Sequence, residues 1–193
     1  TDPALSATIA GLVNGDPESV ISYTISRAEG EAAGDYIITP TGEDSQGNYT
    51  VTYPTGTLTI NKADLTATAD NMSVTYGDAT PTYTISYAGF VNGEDASVIT
   101  TPPTITCDYS PTSNVGEYTI SVSGNGEATN YNIIAGTPGT LTVHQKEVGI
   151  GEWSNTTVTY NGSAQTPTAT VDTDDLVNDD VIGVEVTVEN IGV

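Results

Sequence analysis

The chain has 193 residues, and 25 acidic residues against three Lys or Arg give it a formal net charge of −22. So few cations cannot displace the counterions of a nucleic acid backbone, and we therefore expect no nucleic acid partner. One His and one Cys exclude His- or Cys-rich metal sites and an internal disulfide, and no apolar run approaches the ~18 residues of a membrane span.

Branched residue types predict a chain built from strands. Thr, Val and Ile number 34, 18 and 15, whereas Leu occurs six times. Branching at Cβ restricts side-chain torsions in a helix but packs well on a pleated sheet. Apolar and polar residues also alternate with the period of a half-buried strand, and turn residues separate the alternating segments. In chain order, we first predict a turn at residues 14–16, a strand at 65–69 and turns at 76–78 and 92–94. A short helix at 95–99 follows, and then a hairpin of 117–123 with 130–135 and a last strand at 140–143. Beyond these we predict a turn at 161–162 and a strand at 184–189.

An internal repeat of about 83 residues is the strongest signal in the sequence. The segment Gly11-Leu12-Val13-Asn14-Gly15 has a similar segment 78 residues later. Segments similar to Gly34-Asp35-Tyr36 and Asn48-Tyr49 occur 82 residues later, and one similar to Gly56-Thr57-Leu58-Thr59-Ile60 occurs 83 residues later. The repeat divides the chain into three domains: residues 1–62, which lack the N-terminal strands of the unit, a complete unit at 63–146, and the N-terminal part of a third unit at 147–193. We name these repeat 1, repeat 2 and repeat 3.

The linkers between the repeats are short and contain no Gly-Ser run, so we expect a rod-like array. Two interpretations of the incomplete terminal repeats stay open. They are either the ends of a piece from a longer array, or they complement each other between chains by strand exchange, which closes an open sheet edge.

We predict an all-β fold of tandem immunoglobulin-like β-sandwich repeats. In repeats 1 and 2 a Gly-x-Tyr segment, Gly34 with Tyr36 and Gly116 with Tyr118, has the spacing of a tyrosine corner, whose hydroxyl bonds back to the backbone. The core positions would be Ile38 and Ile120. A β-grasp-like unit with one short helix is the alternative.

The sequence resembles a known type of repeat. The residues that carry the resemblance are Lys62–Asp70 with Val74-Thr75-Tyr76-Gly77-Asp78 and Pro81, Gly89-Phe90-Val91-Asn92-Gly93, Gly116–Ile120, Asn130-Tyr131 and Gly139–Val143. They look like the MBG or YDG repeat domains of large bacterial cell-surface proteins, which are usually grouped with immunoglobulin-like modules. The segment 158–167 resembles a related bacterial repeat. The resemblance implies an extracellular location, and it brings no catalytic residues.

An acidic stretch is the main candidate for a metal site. Its members are Asp172, Asp174, Asp175, Asp179 and Asp180. Asp16 with Glu18, and Glu94 with Asp95, are weaker candidates at equivalent turns. Carboxylates on loops suit calcium, although the spacing differs from that of an EF-hand. The alternative is a solvated acidic face. We expect no other cofactor and no enzymatic activity, since a Ser-His-Asp triad would have to use His144, which lies in a linker.

We expect a non-enzymatic structural or adhesive module at a bacterial cell surface, acting as a stalk or in attachment. Its partners would be neighbouring repeats of the same or an identical chain, and surface glycans or mucin. One alternative is a glycan-binding adhesin module, in which Trp153 could stack on a sugar. The other is a subunit of an extracellular filament assembled by strand exchange between the incomplete terminal repeats.

Overall fold

The computed structural model describes residues 2–163, 165–177, 180–184 and 186. They form an all-β fold with several sheets, so the predicted fold class and its tandem repeats are confirmed. By spatial contact they divide into two compact units. One contains residues 2–66, 87–103 and 124–134, and the other contains residues 67–86, 104–123 and the described residues from 135 onward. No helix within the described ranges is long and apolar enough to cross a membrane.

Repeat 1 forms a three-stranded antiparallel sheet and a small hairpin. The strands are β1 (Thr24–Arg27), β2 (Gly34–Thr41), β3 (Ser45–Gln46), β4 (Tyr49–Thr50) and β5 (Gly56–Ile60). The sheet has the order β1-β2-β5, and β3 pairs with β4. Residues 2–23 of this repeat contain a single 3-10 turn, Glu18–Val20, and no strand.

Repeat 2 contains nine strands in three sheets. They are β6 (Ala63–Ala69), β7 (Met72–Thr75), β8 (Ile85–Ala88), β9 (Ile99–Thr101), β10 (Ile105–Thr106), β11 (Gly116–Val122), β12 (Glu127–Ala128), β13 (Tyr131–Ala135) and β14 (Gly139–His144). The sheet orders are β10-β11-β14-β7, β13-β6-β8 and β12-β9. The pairing of β7 with β14 is parallel and joins a strand from the start of the repeat to its last strand.

The two repeats share the same strand register. Gly34 pairs with Ile60 and Ile38 with Gly56 in repeat 1, while Gly116 pairs with Val143 and Ile120 with Gly139 in repeat 2. Strand β2 is therefore related to β11 by 82 residues, and β5 is related to β14 by 83 residues, as the sequence motifs indicated.

Most of the buried apolar side chains belong to repeat 2. From Leu65 onward every second residue of β6 is buried, with Leu65 at 0% exposure, because the alternation of apolar and polar residues places one set on the inner face. The buried apolar side chains of repeat 2 are Leu65, Ala67, Ala69, Tyr109, Ile120, Ala128, Tyr131, Ile133, Leu141 and Val143. In repeat 1 the buried positions are Ile21 and Pro40. Repeat 1 therefore has a much smaller core.

Two local predictions are wrong. Residues 117–123 and 130–135 do not form a hairpin, because β11 lies between β10 and β14 while β13 pairs with β6. The segment that connects these two strands contains β12, which pairs with β9. The chain therefore leaves the sheet of β11 and enters another sheet with β13. The short helix near residue 96 is one 3-10 turn, Ala96–Val98, and no α-helix occurs among the described residues. The β-grasp alternative therefore lacks its helix in that part of the chain.

Repeat 3 begins with a hairpin of β15 (Ile150–Ser154) and β16 (Thr168–Val171), followed by a 3-10 turn at Thr173–Asp175. Most of the strand predicted at 184–189 lies outside the described residues, which include only 184 and 186 of it.

Candidate functional site

The tyrosine of each Gly-x-Tyr segment bonds to the backbone four residues upstream. The Tyr118 hydroxyl donates to the carbonyl oxygen of Asn114 at 2.8 Å, and the Tyr36 hydroxyl donates to that of Ala32 at 2.7 Å. This is the geometry of a tyrosine corner. Gly116 and Gly34 have φ values of 150° and 156°, in a region that favours glycine. Ile120 is fully buried, whereas Ile38 is half-buried.

A second tyrosine in repeat 2 holds an Asn-Gly turn. Asn92 and Gly93 have φ values of 55° and 76°, as a two-residue turn with both central residues at positive φ requires. The Tyr131 hydroxyl donates to the Glu94 carboxylate and accepts from the Val91 amide at 3.0 Å. The ring of Phe90 packs edge-on against that of Tyr131, with 5.6 Å between the centroids.

The same arrangement recurs in repeat 1. The Tyr49 hydroxyl donates to Asp16 Oδ2 at 2.7 Å and accepts from the Val13 amide at 3.2 Å. The sequence shows the Asn-Gly and Asn-Tyr motifs but not that they contact each other, because the two motifs lie more than thirty residues apart. Their joint recurrence in both repeats was the signal that could have identified them as partners. We call each pair a turn–tyrosine clamp.

The clamp of repeat 2 gives a testable pH dependence. The hydrogen bond to Glu94 raises the pKa of Tyr131, so the folded chain keeps this proton at a pH where the unfolded chain loses it. The stabilising contribution is therefore complete below the ordinary tyrosine pKa of about 10 and is lost as the pH rises toward the folded pKa. We expect Tyr131→Phe to lower the urea midpoint at pH 7, and the difference from the wild type to shrink as the pH rises above about 10.

The matched control is Tyr49→Phe, since Tyr49 makes the same two bonds but is half-buried where Tyr131 is buried. Its effect at pH 7 should be smaller. A Tyr131→Phe difference that stays constant through the alkaline range would contradict this role of the hydroxyl.

The candidate calcium ligands are only partly described. Asp172 Oδ1 accepts from the Asp174 amide at 3.1 Å and thereby caps the 3-10 turn. A hydrogen bond from Tyr76 to Asp180 raises the pKa of that tyrosine. Asp179 lies outside the described residues, as does the side chain of Asp175. Among the described residues no group of three His, Cys, Asp or Glu is arranged to hold a metal, and calcium binding stays a prediction.

The other candidate residues from the sequence lie in different surroundings. His144 is the last residue of β14 and pairs with Thr75, so it is not in a linker as predicted. Trp153 and Tyr160 are 54% and 91% exposed. They are the exposed aromatic side chains among the described residues, and glycan binding stays a prediction.

An open groove runs along repeat 1, on a surface that no sequence motif indicated. It has a volume of about 200 Å³. The groove is lined by residues 7–10 with Leu12, by residues 49–54, and by Ile21, Tyr23 and Pro40. Neither residues 7–10 nor residues 51–54 are part of a strand.

A known domain family accounts for most of the chain. The family model of the MBG domain (YGX type) matches residues 1–59 and again residues 65–142. The two matches correspond to repeats 1 and 2, and the second includes the Tyr76-Gly77-Asp78 turn. No curated protein and no solved structure matched the chain.

Proposed function

Because the chain belongs to the family of YGX-type MBG domains, we propose that it is a structural repeat module of a bacterial cell-surface protein, which transmits force as part of a stalk or attachment structure. MBG domains are repeat modules of surface proteins. In this proposal the module is extracellular and non-enzymatic, and its main partners are neighbouring repeats. The charge of −22 keeps such an array soluble.

The parallel pairing of β7 with β14 carries this proposal. Four pairs join the strands, from Met72 with Leu141 to Thr75 with His144. Force that enters at the start of repeat 2 passes through β6 to β7, and force that leaves at its end pulls β14 in the opposite direction. The stress is then shared by all four pairs at once instead of opening them one after another. Such a geometry suits a module that has to resist tension.

The connection from repeat 1 to repeat 2 supports the same role. Only Asn61 and Lys62 separate β5 from β6. The Lys62 ammonium donates to the Ala128 carbonyl at 2.8 Å, and the Ala33 amide donates to Asn130 Oδ1 at 3.0 Å. These bonds lie within one compact unit and restrain the joint, which is what a linker between stalk repeats requires.

Single-molecule force spectroscopy tests the proposal. In a Cys107→Ala background, handles attached through Asn61→Cys and Gln145→Cys pull on β6, which leads directly into β7, against β14. We expect one cooperative unfolding event of repeat 2 that releases up to about 300 Å of chain, at ~3.6 Å per residue.

The control uses Ala79→Cys with Gln145→Cys, which places both handles at the carboxyl ends of β7 and β14. Force then separates the four pairs successively, and the unfolding force should be clearly lower. Equal unfolding forces for the two attachment geometries, or gradual extension without a cooperative event, would contradict the proposed mechanical role.

A further inference from the structure

One closed turn recurs in all three repeats. Its sequence is Val-Asn, then Gly or Asp, then an acidic residue, at 13–16, 91–94 and 177–180. In each repeat the amide of the acidic residue donates to the carbonyl oxygen of the valine, at 3.1, 3.0 and 3.1 Å. The same hydrogen bond therefore closes the turn in every repeat, and the three valines hold equivalent positions. We call it the valine turn.

The exposure of this valine differs between the repeats. Val13 and Val91 are 56% and 46% exposed, whereas Val177 is half-buried. Repeats 1 and 2 show that the turn leaves its valine on the surface of its own repeat. The burial of Val177 therefore comes from a neighbour outside repeat 3.

The neighbour is the Tyr76-Gly77 turn of repeat 2, which belongs to the same compact unit. A Cβ at Gly77 would lie 2.5 Å from Val177 Cγ2 and 3.3 Å from Val177 Cγ1. Because valine is branched at Cβ, its side chain is stiff and cannot easily turn away from an added methyl group. Glycine at position 77 therefore leaves the space that the valine occupies.

A hydrogen bond holds the other end of the valine turn. The Tyr76 hydroxyl donates to the carboxylate of Asp180, three residues beyond Val177. In repeats 1 and 2 the equivalent acids accept from Tyr49 and Tyr131 of their own repeat, through one carboxylate oxygen each. A carboxylate has about four acceptor sites, so a second tyrosine can bond to the same group. The contact is therefore compatible with a turn–tyrosine clamp.

Repeat 2 itself fixes the shape of the Tyr76-Gly77 turn. Gly77 has a φ of 92°, in the region that favours glycine. The Asp78 amide donates to the Thr75 carbonyl at 2.9 Å, and Asp78 Oδ2 accepts from the Thr75 amide at 2.7 Å. The buried Tyr109 donates its hydroxyl proton to the Asp78 carbonyl at 2.7 Å. The turn is therefore preorganised, which lowers the entropy lost when a partner docks on it.

The linker leaves the orientation of repeat 3 to such a contact. Residues 145–149, between β14 and β15, are exposed and form no strand. A segment of this length has many backbone torsions that no sheet pairing restrains. A specific contact between the two repeats supplies the restraint that the linker lacks.

We propose that the Tyr76-Gly77 turn is a docking site for the valine turn of the following repeat, and that this contact fixes the orientation of one repeat on the next. The glycine accepts the valine side chain, and the tyrosine hydroxyl recognises the carboxylate. The ligand is therefore a closed turn with Val at its first position and an acidic residue at its fourth. The inference rests on the proposed stalk function and deepens it, because a stalk needs joints that do not bend freely.

Pulsed electron paramagnetic resonance of the whole chain tests this docking. In a Cys107→Ala background, nitroxide labels at Glu117→Cys on β11 and Glu152→Cys on β15 report the distance between repeats 2 and 3. Both labelled positions are exposed. We expect a single narrow distance distribution for the chain with the wild-type turns. Val177→Asp should widen the distribution at least about twofold, because it brings an unpaired charge into the contact and next to Asp180.

The matched control is Val181→Asp, the same substitution at a side chain that is 94% exposed, and it should leave the distribution unchanged. A second variant, Tyr76→Phe, removes only the hydroxyl and keeps the ring that packs against the buried cluster of repeat 2. Repeat 2 should therefore stay folded, and we expect this variant to widen the distribution by less than Val177→Asp does.

A wide distribution with the wild-type turns, or narrow distributions for both Val177→Asp and Tyr76→Phe, would overturn the inference. Equal widening by Val181→Asp and Val177→Asp would also overturn it, since the effect would not depend on the docked side chain. The force measurement loads repeat 2 alone. Free movement of repeat 3 would therefore leave the mechanical proposal standing, and equal unfolding forces would contradict that proposal whatever the labels report.

Discussion

Replacing Gly139 with alanine is expected to destabilise repeat 2 strongly. The added methyl group would lie 2.7 Å from two carbonyl oxygens, those of Ala69 and Asp70, and both belong to the backbone. Backbone atoms cannot rotate away as a flexible side chain can, so β14 and the end of β6 would have to separate. We expect a loss of about 2–3 kcal/mol in the free energy of unfolding, at the upper part of the range for overpacked sites. Urea unfolding followed by circular dichroism measures it.

The matched control is Gly56→Ala, at the same position of the same strand in repeat 1. A Cβ there is 3.7 Å from its nearest neighbour, so the change in unfolding free energy should stay within about 0.5 kcal/mol, as for an ordinary surface substitution. A similar loss for both variants would mean that the requirement at Gly139 comes from the strand β14 itself and not from the approach of β6.

Shortening Leu141 to alanine is the second substitution with a large expected effect. Leu141 is fully buried in a cluster with Ala69, Tyr109, Ile120 and Val143. Its removal leaves a cavity lined by apolar side chains, and we expect a loss of about 2–5 kcal/mol. The measurement is again the urea transition.

Leu58→Ala provides the matched control for Leu141→Ala. Leu58 pairs with Tyr36 as Leu141 pairs with Tyr118, but it is only half-buried. We expect less than half the loss found for Leu141→Ala. Equal losses would show that repeat 1 has a closed core, in conflict with its open groove.

The sequence predicted the repeats well because its motifs lie at paired positions of the strands. Gly34 and Gly116 begin equivalent strands. Their partners, Ile60 and Val143, lie in another recurring motif, the Gly-Thr-Leu-Thr segments of β5 and β14. Motifs that recur as a pair indicate a shared register, since a shift of one residue would move every side chain to the other face. The strand class followed from the excess of Thr, Val and Ile, whose branched side chains pack well on a pleated surface.

The partner of β13 could not be predicted from local patterns. Residues 117–123 and 130–135 have a turn-forming segment between them, and the nearest-neighbour interpretation was a hairpin. The observed partner, β6, lies more than sixty residues away along the chain, and no local pattern identifies it. The turn–tyrosine clamps were missed for the same reason, since Tyr131 and Glu94 are 37 residues apart.

The place of β6 depends on the same long-range pairing. The sequence predicted a strand at residues 65–69 but not its neighbours. Only the structure shows that β6 lies between β13 and β8.

Amide hydrogen exchange of the whole chain tests the central claim most directly. The claim is that repeat 1 and repeat 2 are the same module with one strand register. We expect slow exchange at the paired amides of β2 and β5 as well as at those of their equivalents, β11 and β14. Fast exchange throughout β2 and β5 while β11 and β14 are protected would contradict it.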